Sequence, residues 1–244
     1  PPAGGRCHGD RDEQDQAIEH GRRHGAGIPH GSDTGGGRAG SSVGGVDGQP
    51  GTARRQAEEQ ELRAVGAEPE AVAAHLKAHS HLPGPRGNLE LAHAFADSAP
   101  DPLVDALLDD DDEFVRFCVV LALGERLSHA DDPALVHQLH GHARDARWRV
   151  REAVATGLQR VGDRDPARLH ALVRTWSIDR DPLVARAAAA AICEPRLLRT
   201  PAGAAVAREV CRAATDSLVT RAPERRRDTD VRVLRQALGY CWSV

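Results

Sequence analysis

Histidines form two groups whose spacing could place several imidazoles on one side of a helix. The groups are His75, His79 and His81, and His137, His140 and His142. His75 and His79 are one helical turn apart, a spacing that metal sites use. Neither group has a nearby cysteine or the glutamate of an HExxH motif, and the 13 histidines are scattered through polar positions. The sequence therefore predicts solvated histidines, with no metal ligands and no cofactor.

Other patterns with catalytic potential are incomplete. The acidic run from Asp109 to Glu113 lacks the alternating ligands and the glycine of a calcium loop, so it is interpreted as an exposed turn before a helix. The glycines at 35–37 are not a phosphate loop, because no strand, helix or GK[ST] accompanies them. Since no nucleophile elbow or Walker motif occurs either, we predict no catalytic residues, which favours a non-enzymatic protein over an enzyme.

The cysteines are far apart in sequence and form no CxxC pair. They are Cys7, Cys118, Cys193, Cys211 and Cys241, of which the last four fall within apolar helical patterns. This distribution indicates buried, reduced thiols in a cytoplasmic protein. No apolar run reaches the roughly 20 residues needed to span a bilayer, so no membrane association is expected.

Ala, Leu and Val must supply the core, because hydrophobic residues make up 40% of the chain while aromatic residues make up 3% and methionine is absent. Such residues suit closely packed helices better than a β-sandwich and predict an all-α protein. Residues 51–143 carry 17 acids and 7 bases, whereas residues 144–244 carry 12 acids and 20 bases. The basic half could bind an anionic partner, or both halves could be solvated faces that favour solubility.

Residues 1–50 differ in composition from the rest. They are rich in Gly, Arg, His, Ser and Asp and show no sustained apolar period. Such a segment buries too little apolar surface to offset its conformational entropy, so we predict a disordered, low-complexity N-terminal tail. Helical patterns begin at about residue 52, and residues 68–244 are predicted to form a solenoid.

Four segments after residue 101 share one pattern and define a repeat. Each opens with Asp, reaches Val, places Arg one or two residues later and continues into small apolar residues. The Val anchors are Val115, Val150, Val184 and Val231. A first helix lies between successive anchors, at 132–143, 165–176 and 201–218. A period of two helices predicts an α-α superhelix, in which each pair buries its apolar face against its neighbours, with the clearest repeats over 101–244.

Helical spacing assigns roles within one repeat. We expect Asp145 to cap the second helix and Gly157 to let the neighbouring helix approach closely. The expected buried stripe is Val150, Ala153, Val154, Leu158 and Val161. The arginines that recur just inside the second helices are expected to pair with the turn aspartates as a ladder; they are Arg116, Arg151, Arg186 and Arg232.

The Asp turn followed by Val-Arg on this period resembles the HEAT repeat over residues 101–244. The "RWRVREA" segment, with an aromatic residue just before Val-Arg, is also similar to the DNA alkylation repeat, a HEAT-like subfamily. The run from "LPGPRGNLELAHAFAD" to "LRQALGYCWSV" resembles uncharacterised HEAT-repeat proteins of high-GC bacteria. The resemblance implies an ARM-type α-solenoid, and it implies little about what the solenoid binds.

Glycosylases of the alkylation-repeat type hold DNA in a basic channel with Trp residues and a carboxylate. Here Trp148 and Trp176 fall at helix ends, and Trp242 falls at core spacing in the last helix. All three are therefore interpreted as packing residues. Because the apolar stripe of that helix runs on without a usual stop signal, we expect the chain to continue past Val244 or to dock against another subunit.

Residues opposite the buried stripe are expected to form a binding face on the second helices. They are Arg149, Glu152 and Gln159, with Arg186 at the Glu152 position one repeat later. This row is mixed in charge, which suits protein recognition better than a basic DNA channel. The sequence predicts a non-enzymatic scaffold that binds an unknown protein partner through its concave helical face. The alternative is a DNA-binding or DNA-repair protein of the DNA alkylation repeat type, with nucleic acid as the partner.

Limited proteolysis tests the predicted tail. Because residues 1–50 lack apolar periodicity, proteases should cleave there first and leave a stable helical fragment. Mass spectrometry of the time course identifies the cleavage sites. Early cuts distributed evenly along the chain would contradict the prediction.

Overall fold

The protein is all-α, as its sequence predicts. A computed structural model describes residues 50–84 and 86–244, and every regular element in that part of the chain is helical. The prediction of a disordered tail concerns residues 1–50, which lie outside the described residues except for Pro50.

Eleven α-helices and two short 3-10 helices make up the described residues. The α-helices are α1 (Pro50–Val65), α2 (Pro69–Ala78), α3 (Leu89–Ser98), α4 (Asp101–Ala106), α5 (Glu113–His129), α6 (Pro133–His142), α7 (Trp148–Arg164), α8 (Pro166–Ser177), α9 (Pro182–Ile192), α10 (Pro201–Thr220) and α11 (Thr229–Cys241). The 3-10 helices span Leu197–Arg199 and Pro223–Arg227.

The helices alternate between two layers. In one layer α1, α3, α5, α7, α9 and α11 stack side by side, each in contact with the next. The first helices of the repeats cover one side of this stack: α6 packs on α5 and α7, and α8 packs on α7 and α9. The core lies between the layers and is continuous along the molecule, which is the arrangement expected of a solenoid.

Asp-Pro pairs start several of these helices. Asp132, Asp165 and Asp181 each precede a proline in the first helical turn, and each accepts a hydrogen bond from a backbone N–H of that turn. Proline is tolerated there because the first N–H groups of a helix have no intrahelical acceptor. The Asn88 side chain caps α3 by accepting a hydrogen bond from the Leu91 backbone N–H.

The predicted cap at Asp145 is wrong. Helix α7 begins at Trp148, and Arg147 occupies the N-cap position without a side-chain cap. The Asp145 carboxylate instead accepts from the Arg147 backbone N–H at 2.8 Å and from its guanidinium at 2.8 Å. Asp145 therefore closes the turn before α7 by binding both the backbone and the side chain of Arg147.

The predicted buried stripe is confirmed. The five apolar residues assigned to it on α7 are fully or almost fully buried, as are the Val anchors of all four repeats. The core as a whole is built from Leu, Val and Ala, with Phe95, Phe114 and Ile192 among its largest fully buried side chains.

Two glycines allow the closest contact between neighbouring repeats. Helices α5 and α7 cross where Gly124 faces Gly157, so the two backbones touch without intervening side chains. A β-carbon on Gly124 would overlap the Gly157 Cα, and one on Gly157 would lie 3.0 Å from the Gly124 Cα. The prediction that Gly157 lets its neighbour approach is confirmed.

The arginine ladder differs from its prediction in its acceptors. Arg116 donates to the Asp110 backbone oxygen at 2.9 and 3.1 Å, and Arg151 donates to the backbone oxygens of Asp145 and Ala146 at 2.7 and 2.9 Å. Turn carbonyls therefore accept these hydrogen bonds, for which the sequence predicted turn carboxylates. Because these carbonyl groups lie in turns, no helical N–H donates to them, and a guanidinium supplies the missing hydrogen-bond donor.

Arg186 and Arg232 do not belong to this ladder. Arg186 lies two residues after its Val anchor rather than one, so a 100° rotation points it at the preceding repeat, where it pairs with Glu152. Arg232 is exposed and contacts Thr229 Oγ1 at 3.3 Å.

Substitution of Gly124 by Ala tests the crossing. The added methyl group has to push α5 away from α7, so we expect the free energy of unfolding to fall by about 1–3 kcal/mol. Chemical denaturation monitored by circular dichroism measures this change. Gly239→Ala is the matched control, because nothing lies within 4 Å of a β-carbon there. That variant should be as stable as the wild type or up to about 1 kcal/mol more stable. Equal stability of the two variants would contradict the close approach.

Candidate binding groove on the second helices

A polar groove of about 670 Å³ opens on the layer formed by α1, α3, α5 and α7. It is lined by Arg55, His93, Glu125, Ser128, Thr156, Gln159, Arg160, Asp163, Arg164 and Arg196. Small-molecule pockets are usually lined mostly by apolar and aromatic side chains. The residues here are almost all polar or charged, so the groove has the character of a surface for a polar partner.

Helical spacing brings the α7 residues of the groove together. Thr156, Gln159, Arg160 and Asp163 occupy positions i, i+3, i+4 and i+7, which share one face of a helix. This face lies beside the buried stripe that packs on the core. The groove therefore runs along this face of α7.

Arg160 joins three helices at the centre of the groove. Its Nη1 donates to Asp97 Oδ1 of α3 and to Glu125 Oε2 of α5, each at 2.5 Å, and its Nη2 donates to His93 Nδ1 at 2.6 Å. The guanidinium side chain is only 13% exposed. Hydrogen bonds between charged groups are short and strong, and they are worth most where water is excluded. Arg160 therefore fixes the position of α7 relative to α3 and α5.

The imidazole of His93 is held neutral at this centre. Burial, followed by the positive charges of Arg160 and Arg55, together lower its pKa to about 4. Because Arg160 donates to Nδ1, the single proton of the neutral ring is on Nε2.

Glu125 remains ionised in the same environment. Burial raises its pKa, but hydrogen bonds from Arg160 and His129 outweigh burial, so the pKa lies below its ordinary value. The groove therefore presents fixed charges of both signs beside a neutral histidine.

Arginines on the rim are paired and still accessible. Arg196 binds the Asp163 carboxylate through two nitrogens at 2.9 and 3.0 Å, and Arg164 lies 3.9 Å from Glu125. Their side chains are 40% and 53% exposed, respectively. A partner can therefore reach these guanidinium groups without the ion pairs having to break, since each has further donors.

The hydroxyl groups of the groove are not activated for catalysis. Ser128 donates to the Glu125 backbone oxygen at 2.7 Å, and Thr156 donates to the Glu152 backbone oxygen at 3.1 Å. A nucleophilic hydroxyl needs a base within hydrogen-bonding distance. Among the lining residues, the hydroxyl protons bind the backbone of their own helices instead, which suits recognition better than bond cleavage.

The row of binding residues predicted from the sequence lies between repeats. Gln159 lines the groove and donates to the Ala190 oxygen of α9 at 3.3 Å. Arg149 pairs with Glu113 of α5 at 3.1 Å, and Glu152 pairs with Arg186 of α9. Each predicted residue therefore links one repeat to the next, and its contact with a partner stays a prediction.

The central residues His93, Asp97 and Arg160 were missed because they come from helices far apart in sequence. One signal could have revealed part of the arrangement: opposite charges recur one repeat apart. The pairs are Glu113 and Arg149, Glu125 and Arg160, Glu152 and Arg186, and Asp163 and Arg196, separated by 36, 35, 34 and 33 residues. A residue and its equivalent in the next repeat are neighbours in a solenoid, so such pairs meet.

The tryptophans do not gather around a carboxylate. Trp148 lies under the Arg149 guanidinium, 4.5 Å from the ring centroid, and Trp176 is buried with its ring perpendicular to that of His140. The placement of Trp242 at core spacing is wrong, because this side chain is 50% exposed just past the end of α11. Its Nε1 donates to Thr215 Oγ1 at 3.3 Å.

Three of the cysteines come together in space. Cys193, Cys211 and Cys241 are buried, and their sulfur atoms all lie within 4.8 Å of one another. Hydrogen bonds from the Cys193 and Cys241 thiols lower the pKa of Cys211, and the same contact raises the pKa of Cys193. Sequence spacing did not reveal this cluster, since the three residues come from different helices.

One comparison with known proteins concerns the repeat. Residues 100–193 match the family of HEAT repeats. This match agrees with the HEAT-like α-α superhelix of the described helices. Two crystal structures of engineered proteins share 17% and 16% of residues with the chain over 81% of its length, and over 93% and 96% of theirs. Both have a TM-score of 0.29, which supports no structural or functional conclusion. No curated protein matches the chain.

Among the described helices, none combines the length and the apolar character needed to cross a membrane.

The neutral state of His93 predicts how stability depends on pH. Its folded pKa of about 4 lies below the ordinary value of 6.5, so between these values the unfolded chain binds a proton that the folded protein excludes. The free energy of unfolding should therefore fall as the pH is lowered from 6.5 to 4. A difference of one in pKa corresponds to about 1.4 kcal/mol, so His93 contributes at most about 3 kcal/mol.

Urea titrations at several pH values measure this contribution. His93→Gln should reduce the fall relative to the wild type, whereas His137→Gln, at an exposed position on α6, should leave it unchanged. The carboxylates of the groove titrate in all three proteins, so the difference isolates the histidine. An identical fall in the wild type and His93→Gln would contradict the interpretation.

Proposed function

We propose that this protein is a non-enzymatic HEAT-repeat scaffold that binds a protein partner through the polar groove of its second-helix layer. The observation that carries the proposal is the mixed charge of the groove. Arg164 and Arg196 offer accessible donors on the rim, while the carboxylates of Glu125 and Asp163 lie beside them. A protein segment with side chains of both signs complements such a surface.

The pairing of arginines argues against a DNA channel. Duplex binding needs guanidinium and ammonium groups free to neutralise phosphates. In the basic half of the chain many arginines already bind carboxylates: Arg147, Arg149, Arg160, Arg168, Arg174, Arg186, Arg196 and Arg225. At least eight of the 20 basic side chains of residues 144–244 are thus engaged by carboxylates within the fold, which favours a protein partner over nucleic acid.

The thiols support a cytoplasmic location. Cys118, Cys193, Cys211 and Cys241 are free and buried. Buried thiols without a disulfide are typical of proteins in a reducing compartment. We include the cytoplasm in the proposal on this basis.

Affinity capture with matched variants tests the proposal. The wild type, Arg164→Glu and Arg212→Glu serve as baits in lysate of the source cell, with and without nuclease. Arg164 is on the groove rim and 53% exposed, whereas Arg212 is exposed on α10 and does not line the groove. Both changes alter the net charge equally.

A protein retained by the wild type and by Arg212→Glu, but reduced about fivefold or more by Arg164→Glu, is the expected result, because arginines at binding hot spots contribute more than about 1 kcal/mol. Nuclease treatment should not change its recovery. Recovery that disappears with nuclease and falls steeply with salt would favour the DNA-binding alternative. An equal loss of the captured protein in both variants would show that the partner does not bind through the groove.

A further inference from the structure

The buried cysteines form a compact group of sulfur atoms at the end of the solenoid. Cys193 caps the C-terminus of α9, Cys211 lies in the middle of α10, and Cys241 is the last residue of α11. The relative exposures of these residues are 2%, 2% and 6%. Three sulfurs from three helices thus face a common point, although 18 and 30 residues separate them in sequence.

The spacing of the sulfurs suits a common bound ion. An ion about 2.3 Å from each of three sulfurs, the usual Zn–S length, holds them about 4 Å apart. Here Cys193 Sγ and Cys211 Sγ are 3.5 Å apart, and no pair in the group exceeds 4.8 Å. Side-chain shifts of less than about 1 Å would therefore complete the ligand set.

The number of ligands limits which ion fits. Structural zinc sites need four protein ligands. Among the described residues, no imidazole or carboxylate oxygen joins this group of sulfurs. An ion that is satisfied by three sulfur ligands is therefore favoured over zinc.

The charge of the three sulfur ligands further limits which ion can bind. Three thiolates carry three negative charges, and a net charge is costly to bury. The cation whose charge reaches Cys241 is Arg186, which already pairs with Glu152. Only a trivalent ion gives a neutral complex with three thiolates.

We propose that Cys193, Cys211 and Cys241 form a binding site for a trivalent thiophilic metalloid, of which arsenite is the probe. Arsenite is the neutral acid As(OH)₃ near pH 7. Each thiol displaces one hydroxyl group, so that three S–H and three As–O bonds break while three As–S bonds form and three water molecules leave. Arsenic stays trivalent throughout, so the reaction needs no oxidant or reductant. The product ties the ends of α9 and α11 to α10.

Mass spectrometry of the reduced, full-length protein tests the site. Arsenite should add one arsenic atom per chain in place of three hydrogens. The loaded protein is unfolded, alkylated and then mapped by its peptides. Cys193, Cys211 and Cys241 should be protected by arsenic, whereas Cys7 and Cys118 should be alkylated. The melting temperature should rise with arsenite, because the ligand binds the folded state.

Single substitutions separate three-sulfur binding from binding by a pair. Cys241→Ser and Cys211→Ser should each weaken arsenite binding at least tenfold, whereas Cys7→Ala and Cys118→Ala should bind as the wild type does. Circular dichroism checks that every variant is folded. If a variant does not fold, the cysteines protected in the wild type show which sulfurs bind arsenic.

Three results would overturn the inference. They are the absence of a stoichiometric adduct on the wild type, an adduct that protects other cysteines, and full binding by Cys241→Ser. A parallel titration with Zn²⁺ examines the choice of ion. Displacement of arsenite by an equal concentration of Zn²⁺ would show that the site takes a four-coordinate ion, and would overturn the assignment to a trivalent metalloid.

Discussion

The contact between Gly124 and Gly157 is the constraint on which the rest of the structure depends. Because no side chain separates the two backbones, α5 and α7 lie closer together than side-chain packing would allow. The close crossing brings Glu125, one residue from the contact, within reach of Arg160 on the facing helix. The groove then opens along this edge, lined by polar residues of the two helices and their neighbours.

Ion pairs between equivalent positions set the register of the repeats. Three of the pairs join one second helix to the next and are half-buried. The fourth, Asp163 with Arg196, joins α7 to the segment that follows α9. Burying charges is expensive, so such pairs add little net stability compared with apolar packing. They do penalise a slip of one repeat against another, because a slip would leave a buried charge alone. Apolar Leu, Val and Ala side chains supply the cohesion of this core, and the ion pairs supply its alignment.

The sequence predicted the fold well and the groove only in part. The period of two helices, the Val anchors and the Gly157 contact all follow from local spacing, since one helix face is decided by residues a few positions apart. Arg186 was misassigned because a shift of one residue along a helix turns a side chain by 100° and changes its partner. Asp145 was misassigned because α7 begins at Trp148, so that Arg147 takes the N-cap position. Arg160 and His93 were missed because their meeting depends on how three helices pack, which no local pattern encodes.

The distribution of charge in the sequence overstates the positive potential of the folded protein. Residues 144–244 contain 20 basic and 12 acidic side chains. Several of their arginines bind carboxylates of the acidic half, including those of Glu113, Glu125 and Asp131. These ion pairs partly neutralise the two halves across the repeat interfaces and align the helices. At the groove, the accessible charge is local: Arg164 and Arg196 on the rim each lie beside a carboxylate. Such a surface can discriminate between partners by the arrangement of charges rather than by their sum.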